Sequence, residues 1–229
     1  MSTLALHYHP LSSYCHKVLI ALDELGVDVD KRFLNLGDPA ERSAYLALWP
    51  TGKMPLLVDR GRPVPETSII IEHLQRHHAQ PGRALIPADP DEALEVRLWD
   101  RLFDLQVMTP MQAFTADLLR PPGERDAQGV ARARETLATS YALVDHHLQG
   151  RTWMAGEAFS LADCAAAPSL FYALTYVPLP PQHERLAAYF ERLMNRPSVA
   201  RTVEQARPWF KYYPGRAGLA RRFFDPAAA

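Results

Sequence analysis

The chain of 229 residues is short of several things. It has only two cysteines, Cys15 and Cys164. They lie far apart and match no zinc or redox spacing, so both are expected reduced, in an intracellular protein. An excess of charge of either sign is missing too. The 25 basic and 26 acidic residues leave a net charge of −1, which removes the electrostatic case for nucleic acid or an anionic membrane. No apolar run is long enough to span a membrane. The opening "MSTLALHYHP" lacks a basic stretch followed by an apolar one, so no signal peptide is expected and the cytoplasm is the expected location. There is no internal repeat.

What is present is apolar material in helical and strand periods. "LALHY" (Leu4–Tyr8) alternates and runs into Pro10, which predicts a short strand. Ser12 or Ser13 then caps a helix whose apolar face is Val18, Leu22 and Leu25, stopped by Gly26. Val27–Leu34 reads as a second strand, giving a parallel pair with a right-handed crossover. Asp38 caps a short helix with Pro39 in its first turn. Leu56–Val58 and Arg62–Val64 read as a hairpin around Arg60–Gly61, and Thr67–His78 as a helix. The order is βαβαββα.

"AQPGRALIPADP" (Ala79–Pro90) reads as a linker, and beyond it the helical period takes over. Helices are predicted over 91–119, 128–149, 160–176, 184–195 and 197–206. The expected division is an α/β domain over residues 1–80, a linker over 81–90 and an all-α domain over 91–229.

Three segments hold candidate chemistry. "SSYC" (Ser12–Cys15) puts hydroxyls and a thiol where a helix dipole favours negative charge. In "GKMPLLV" (Gly52–Val58), Pro55 stands at the start of a strand, where a cis bond after Met54 turns the Met54 backbone outward; base rates favour trans. In "PETSII" (Pro65–Ile70), Thr67 is either a plain cap or part of a clamp. In the clamp, Glu66 meets a ligand ammonium and Thr67 a ligand carboxylate. "FSLADCAAA" (Phe159–Ala167) is a folding signal, with Ser160 and Asp163 as a capping box, Phe159 and Cys164 as a staple, and Cys164 a buried small hydrophobe. His73 and His77 have a metal-compatible i, i+4 spacing, but no third ligand is evident and no metal is expected.

Taken together, "SSYC", "PTGKMPLLV", "ETSIIIEHL", "WMAGEAFSLADCAAAPSL" and "RPSVARTVEQARPWF" resemble the glutathione transferase superfamily in order and spacing, over about residues 4–210. The resemblance implies a thioredoxin-like α/β N-terminal domain, an all-α helical C-terminal domain and a homodimer. It implies binding of reduced glutathione as cosubstrate, with no metal. It places a cis-Pro55 and Met54 against the cysteinyl backbone, Lys53 near the glycyl carboxylate, and Glu66 and Thr67 on the γ-glutamyl end. Thr67 stands where the family has Ser; the hydroxyl is kept.

The family's serine-type branches put the catalytic Ser three residues before a cysteine or five before a basic residue. Ser12 meets both rules, through Cys15 and Lys17; Ser13 meets neither. Tyr8 is the competing thiolate donor, at the place of the tyrosine-type branches. Ser13 is a helix-start neighbour able to add a hydroxyl or amide. The acceptor pocket falls to the first helix of the helical half, with Leu105, Met108, Met111 and Phe114 at hand. Asp100 or Asp104 is a candidate to reach a neighbouring subunit's ligand, and Trp209, Phe210 and Tyr212 to cover the site.

The implied activity is conjugation of glutathione to an electrophilic, mostly apolar small molecule, as in detoxification. The rivals are a glutathione-dependent isomerase, dehalogenase or peroxidase, and a non-catalytic interaction module. A thiol–disulfide enzyme is disfavoured, since the chain has no CxxC and no Cys at position 12.

Overall fold

The computed structural model describes residues 4–225; residues 1–3 and 226–229, the last part of the C-terminal tail, lie outside the described residues. The chain divides into two compact units, Met1–Leu85 and Ile86–Ala229.

The first unit runs β1 (Leu4–Tyr8), α1 (Ser13–Leu25), β2 (Asp30–Phe33), α2 (Pro39–Leu48), β3 (Leu56–Asp59), β4 (Arg62–Val64) and α3 (Thr67–His77). The sheet order is β2-β1-β3-β4. β1 pairs parallel with β2 and antiparallel with β3, and β3 antiparallel with β4. This is the expected βαβαββα arrangement, and its local causes are visible. Gly26 closes α1 at φ 67°, the left-handed region that glycine enters freely. The Asp38 carboxylate accepts from the amides of Ala40 and Glu41, with Pro39 in the first turn of α2.

β2 is shorter than its apolar pattern predicts. Only Asp30–Phe33 pair, all four exposed, and the charges of Asp30, Lys31 and Arg32 suit an open edge. Leu6, Leu56 and Leu57 are fully buried in the sheet, as are Ile70, Ile71 and Leu74 of α3. Leu34, Tyr45 and Leu56 form a separate core cluster, against which Met54 packs.

The second unit holds α4 (Pro90–Leu102), α5 (Thr109–Leu119), α6 (Ala127–His147), α7 (Leu161–Ala173), α8 (Glu184–Met194), α9 (Pro197–Ala206) and α10 (Arg221–Phe224). One helix was expected over 91–119. Instead, Phe103–Met108 widens into a π-helical turn between α4 and α5. Pro110 explains it. A helix-interior proline has no N–H for the carbonyl four residues back and collides with it. That carbonyl, on Gln106, accepts from Ser140 Oγ of α6 at 2.9 Å, and Thr109 Oγ1 donates to the Asp104 carbonyl at 2.9 Å.

α7 starts as the sequence predicts, with the Ser160–Asp163 capping box complete. Asp163 also accepts from Met154 N (2.9 Å) and Tyr189 Oη (2.6 Å), so the box anchors α8 and the preceding loop as well as its own helix. The Phe159 ring meets Trp153 edge-on at 5.1 Å, with the Arg196 guanidinium 4.1 Å above it.

Candidate active site

Strand register gathers the candidate residues of the first unit. His7 faces Leu56, and Leu57 faces Val64. Extending the register by one residue sets Tyr8 beside Pro55, and by two sets Pro55 beside Glu66. Neighbouring strands lie about 4.8 Å apart. The end of β1, the start of β3 and the exit of β4 therefore open at the same end of the sheet.

Ser12 enters this end as the N-cap of the 13-residue α1. Its Oγ accepts from Cys15 N at 3.3 Å, its N–H donates to the His9 carbonyl, and its carbonyl accepts from His16 N, both at 3.0 Å. The residue is half-buried, whereas Ser13 is buried. Cys15 is fully buried. Burial pushes its thiol up to about 11, against the opposing hydrogen bonds with Ser12 and the His9 backbone. It is a protonated packing residue near neutral pH, as its displacement from position 12 implies.

Tyr8 is half-buried on β1. Burial, with a smaller contribution from Cys15, raises its phenol above the ordinary 10, so it stays protonated and able to donate. The loop between Tyr8 and Ser12 is fastened from below by His16, whose Nε2 lies 2.6 Å from the Pro10 carbonyl. Burial depresses His16 to about 4, opposed by that carbonyl. The ring is therefore neutral near pH 7 and donates from Nε2.

The peptide bond between Met54 and Pro55 is cis. Met54 stands two residues before the β3 ladder begins and is partly buried against the Tyr45 cluster. Tyr45 Oη donates to the Lys53 carbonyl at 2.6 Å and fixes this loop, while the Lys53 side chain is exposed.

Glu66 departs from the plain cap reading of Thr67. The N-cap of α3 is Glu66, with φ 67° and no side-chain cap hydrogen bond, and Thr67 is the first helical residue, buried. The chain turns sharply there, and the Glu66 carbonyl accepts from Ile70 N at 2.8 Å. A glutamate at positive φ carries strain of order 1–3 kcal/mol. The turn aims the Glu66 carboxylate outward while the first turn of α3 opens at the same end as α1.

One buried neighbour of the candidate residues escaped the sequence reading. Lys17 is fully buried and its ammonium donates to Ser68 Oγ at 3.1 Å, tying the second turn of α1 to the first turn of α3. Spacing marked Lys17 only as a position five after Ser12. A lysine inside the run "CHKVLIAL" (Cys15–Leu22), every residue of which is buried, was the available signal.

In the helical unit, Met108, Met111 and Phe114 are buried and Leu105 is half-exposed at 51 %. Phe114 stacks on Tyr176, with centroids 5.2 Å apart. Asp100 and Asp104 are both buried within this unit, and Asp104 accepts from Arg101 at 3.1 Å. Phe210 is buried, Trp209 partly so, and Tyr212 is exposed.

The chain is similar to known proteins in both of its units. Residues 6–82 match the family described as "Glutathione S-transferase, N-terminal domain", and residues 103–197 match "Glutathione S-transferase, C-terminal domain". The chain is 33% identical over 178 residues to FtsZ-localized protein A of Caulobacter vibrioides, covering 72% of this chain and 75% of that one. It is 31% identical over 174 residues to maleylacetoacetate isomerase of Pseudomonas aeruginosa, covering 74% and 80% respectively. A crystal structure of a glutathione S-transferase from Methylobacillus flagellatus with bound glutathione superposes with a TM-score of 0.79 at 30% identity, over 87% of this chain and 98% of that one. Two family matches in the expected order, and relatives above 30% identity over most of both chains, place this chain in the glutathione S-transferase family.

Proposed function

We propose that the chain is a glutathione transferase that binds reduced glutathione on its α/β domain (residues 1–80) and directs the thiolate at an electrophilic, mostly apolar small molecule. The observation that carries this reading is the convergence of Ser12, Met54–Pro55 and Glu66–Thr67 at one end of the sheet. An extended tripeptide spans roughly 10 Å, about two strand spacings. That matches the walk from α1 across Pro55 to Glu66. Met54 offers backbone groups to the cysteinyl unit. Glu66 takes the γ-glutamyl ammonium, and the Thr67 hydroxyl with the start of α3 takes its carboxylate. Lys53, exposed beside Met54, takes the glycyl carboxylate.

The chemistry needs an ionised thiol. A free thiol has a pKa of about 8.5, and lowering it by two units takes roughly 2.7 kcal/mol of preference for the anion. A charge-assisted hydrogen bond supplies about 1.5–3 kcal/mol. The Ser12 hydroxyl, at a helix start, donates that bond without losing its own proton. The thiol proton leaves to solvent, and the sulfur bonds to the electrophilic carbon as a leaving group departs with its electron pair, or as a conjugated double bond opens and its far carbon takes a proton from water. The remaining terms are proximity and orientation. Ser13, buried, supports the turn, and Tyr8 is the competing donor. The resemblance to maleylacetoacetate isomerase, together with the double serine, favours glutathione-dependent isomerisation as the second reading.

Pairing as a homodimer in the cytoplasm completes the proposal. It is supported by the exposed apolar row Leu94, Leu98 and Leu105, and by two buried free cysteines. Calorimetric titration of reduced glutathione and its S-methyl analogue tests the binding. Both bind, with proton release only for the free thiol. No binding at millimolar glutathione overturns the transferase reading in favour of an interaction module.

A further inference from the structure

The far end of the sheet holds a cluster that glutathione chemistry does not use. Asp59 closes β3, next to the turn in which Arg60 (φ 50°) and Gly61 (φ 80°) reverse the chain. His73 lies on α3, and His78 is its C-cap. The Nε2 atoms of both imidazoles sit 2.8 Å from the same carboxylate oxygen, Asp59 Oδ2. The other oxygen, Oδ1, is buried with no hydrogen bond among the described residues, and the Arg60 guanidinium approaches it only to 3.9 Å. Two nitrogens and a carboxylate oxygen thus lie within 4.8 Å of one another. The side chains of Asp59, His73 and His78 are 11%, 20% and 18% exposed, so the cluster is held from within and keeps one face to solvent. His77 stands beside it, its ring 4.6 Å from that of His73.

We propose that Asp59, His73 and His78 form a binding site for a divalent transition-metal ion of the zinc type. Two imidazoles and one carboxylate are a zinc donor set, with no thiolate to draw a softer ion and too few oxygens for calcium or magnesium. Zinc–ligand bonds of about 2.0–2.1 Å put tetrahedral ligand atoms about 3.3 Å apart. Opening each 2.8 Å contact by about half an ångström is within side-chain rotation. On binding, the Nε2 proton that each imidazole points at Asp59 is given up to water, each ring binds as the neutral Nδ1–H tautomer, and its Nε2 lone pair turns to the ion. Asp59 stays ionised, and water takes the open position on the solvent face. The ion then replaces two hydrogen bonds as the clasp between the β3–β4 hairpin and the C-terminal end of α3. The site lies in the first unit, and it stands whether or not the glutathione reading holds.

The test is calorimetric titration of Zn²⁺ alone into the full chain, purified without a histidine tag and stripped with chelator. Visible spectra of the Co²⁺-loaded chain report the geometry. One ion per chain is expected, with the d–d bands of a low-coordinate N,N,O site. Losing an outer partner of a metal ligand costs about 10–100-fold in affinity, and losing a ligand costs more. His78→Gln, His73→Gln and Asp59→Asn should each weaken binding by more than that range, while His146→Ala at an exposed position changes nothing. Zn²⁺ should raise the thermal midpoint of the parent chain and of H146A but not that of H78Q. H78Q lies at a helix end, so it remains informative where a change at Asp59 disturbs the fold. Zinc affinity unchanged in both H78Q and H73Q, or fewer than one ion per chain, overturns the proposal.

Discussion

Replacing Ser12 by alanine separates two roles of one hydroxyl. As N-cap, Ser12 Oγ accepts from Cys15 N at 3.3 Å, a long bond for its kind. Losing a cap costs about 1 kcal/mol, and for a chain of this size that lowers the thermal midpoint by about 2–4 °C. As thiolate donor, the same hydroxyl points its O–H at sulfur in a hydrogen bond, which its lone-pair contact with Cys15 N leaves it free to do. Losing that bond removes about 1.5–3 kcal/mol of anion stabilisation and raises the bound thiol pKa by roughly one to two units. The thiolate is the reactive form, so the rate climbs with pH through this pKa. Ser12→Ala should shift the whole profile upward and slow the reaction about 10–100-fold below the original midpoint. The assay is ultraviolet absorbance of bound glutathione thiolate against pH, paired with the rate at saturating glutathione. Ser12→Gly separates the roles, because glycine caps nearly as well: it loses only a few tenths of a kcal/mol of stability but the same catalysis. Ser12→Thr keeps both. An unchanged thiol pKa in S12A, with the upward shift found in Tyr8→Phe instead, would falsify the assignment.

The other expectations rest on separate parts of the molecule. Glu66→Gly and Glu66→Ala should both weaken glutathione binding, but the glycine variant should be more stable than the alanine one by about 1 kcal/mol in urea unfolding, because only glycine is at ease at φ 67°. Acid should weaken the fold through His16. Its folded pKa of about 4 lies below the unfolded value near 6.5, so the unfolded chain gains its proton first, and stability falls by roughly 3 kcal/mol between those two pH values. His16→Gln, which keeps a donor for the Pro10 carbonyl, should flatten that slope in a pH series of urea melts. Asp163→Ala strands the amides of Met154 and Ser160 and the Tyr189 hydroxyl, and should cost about 3–5 kcal/mol by the same method. A loss under 1 kcal/mol would show that the box is only a local cap.

The features legible in the sequence depend on neighbours within one helical turn or one strand. The Asp38–Pro39 start, the Gly26 stop and the Ser160–Asp163 box each involve residues no more than three or four apart, and each stands in the structure. The π-turn at Phe103–Met108 was hidden because the apolar period runs through it unbroken. Its cause, Pro110, is in plain view, but its remedy, Ser140 on α6, lies 34 residues from the carbonyl it caps. Backbone sign is hidden in the same way. "PETS" reads as a plain cap, and only the β4–α3 junction sends Glu66 to positive φ.

Long-range pairing also decides which histidines matter. The i, i+4 rule selects His73 and His77, which share a helix face. The structure couples His73 to His78 instead, because α3 ends at His77 and the chain turns at His78. The third group, Asp59, is 14 residues before His73 and 19 before His78, and it arrives through the hairpin. Helical spacing cannot find that triplet, but sheet register can. β3 rises about 3.3 Å per residue, so Pro55 and Asp59 lie about 13 Å apart at opposite ends of one strand. Everything placed near Pro55 by strand pairing therefore belongs to the Ser12–Glu66 end, and everything near Asp59 to the other. α3 runs between the two, with Thr67 at its first turn and His73 and His78 towards its last. Leu56 and Leu57, fully buried, fill the strand between the two ends. A group bound at one end therefore has no direct contact with the other, and α3 is the one element that carries proposed ligands at both.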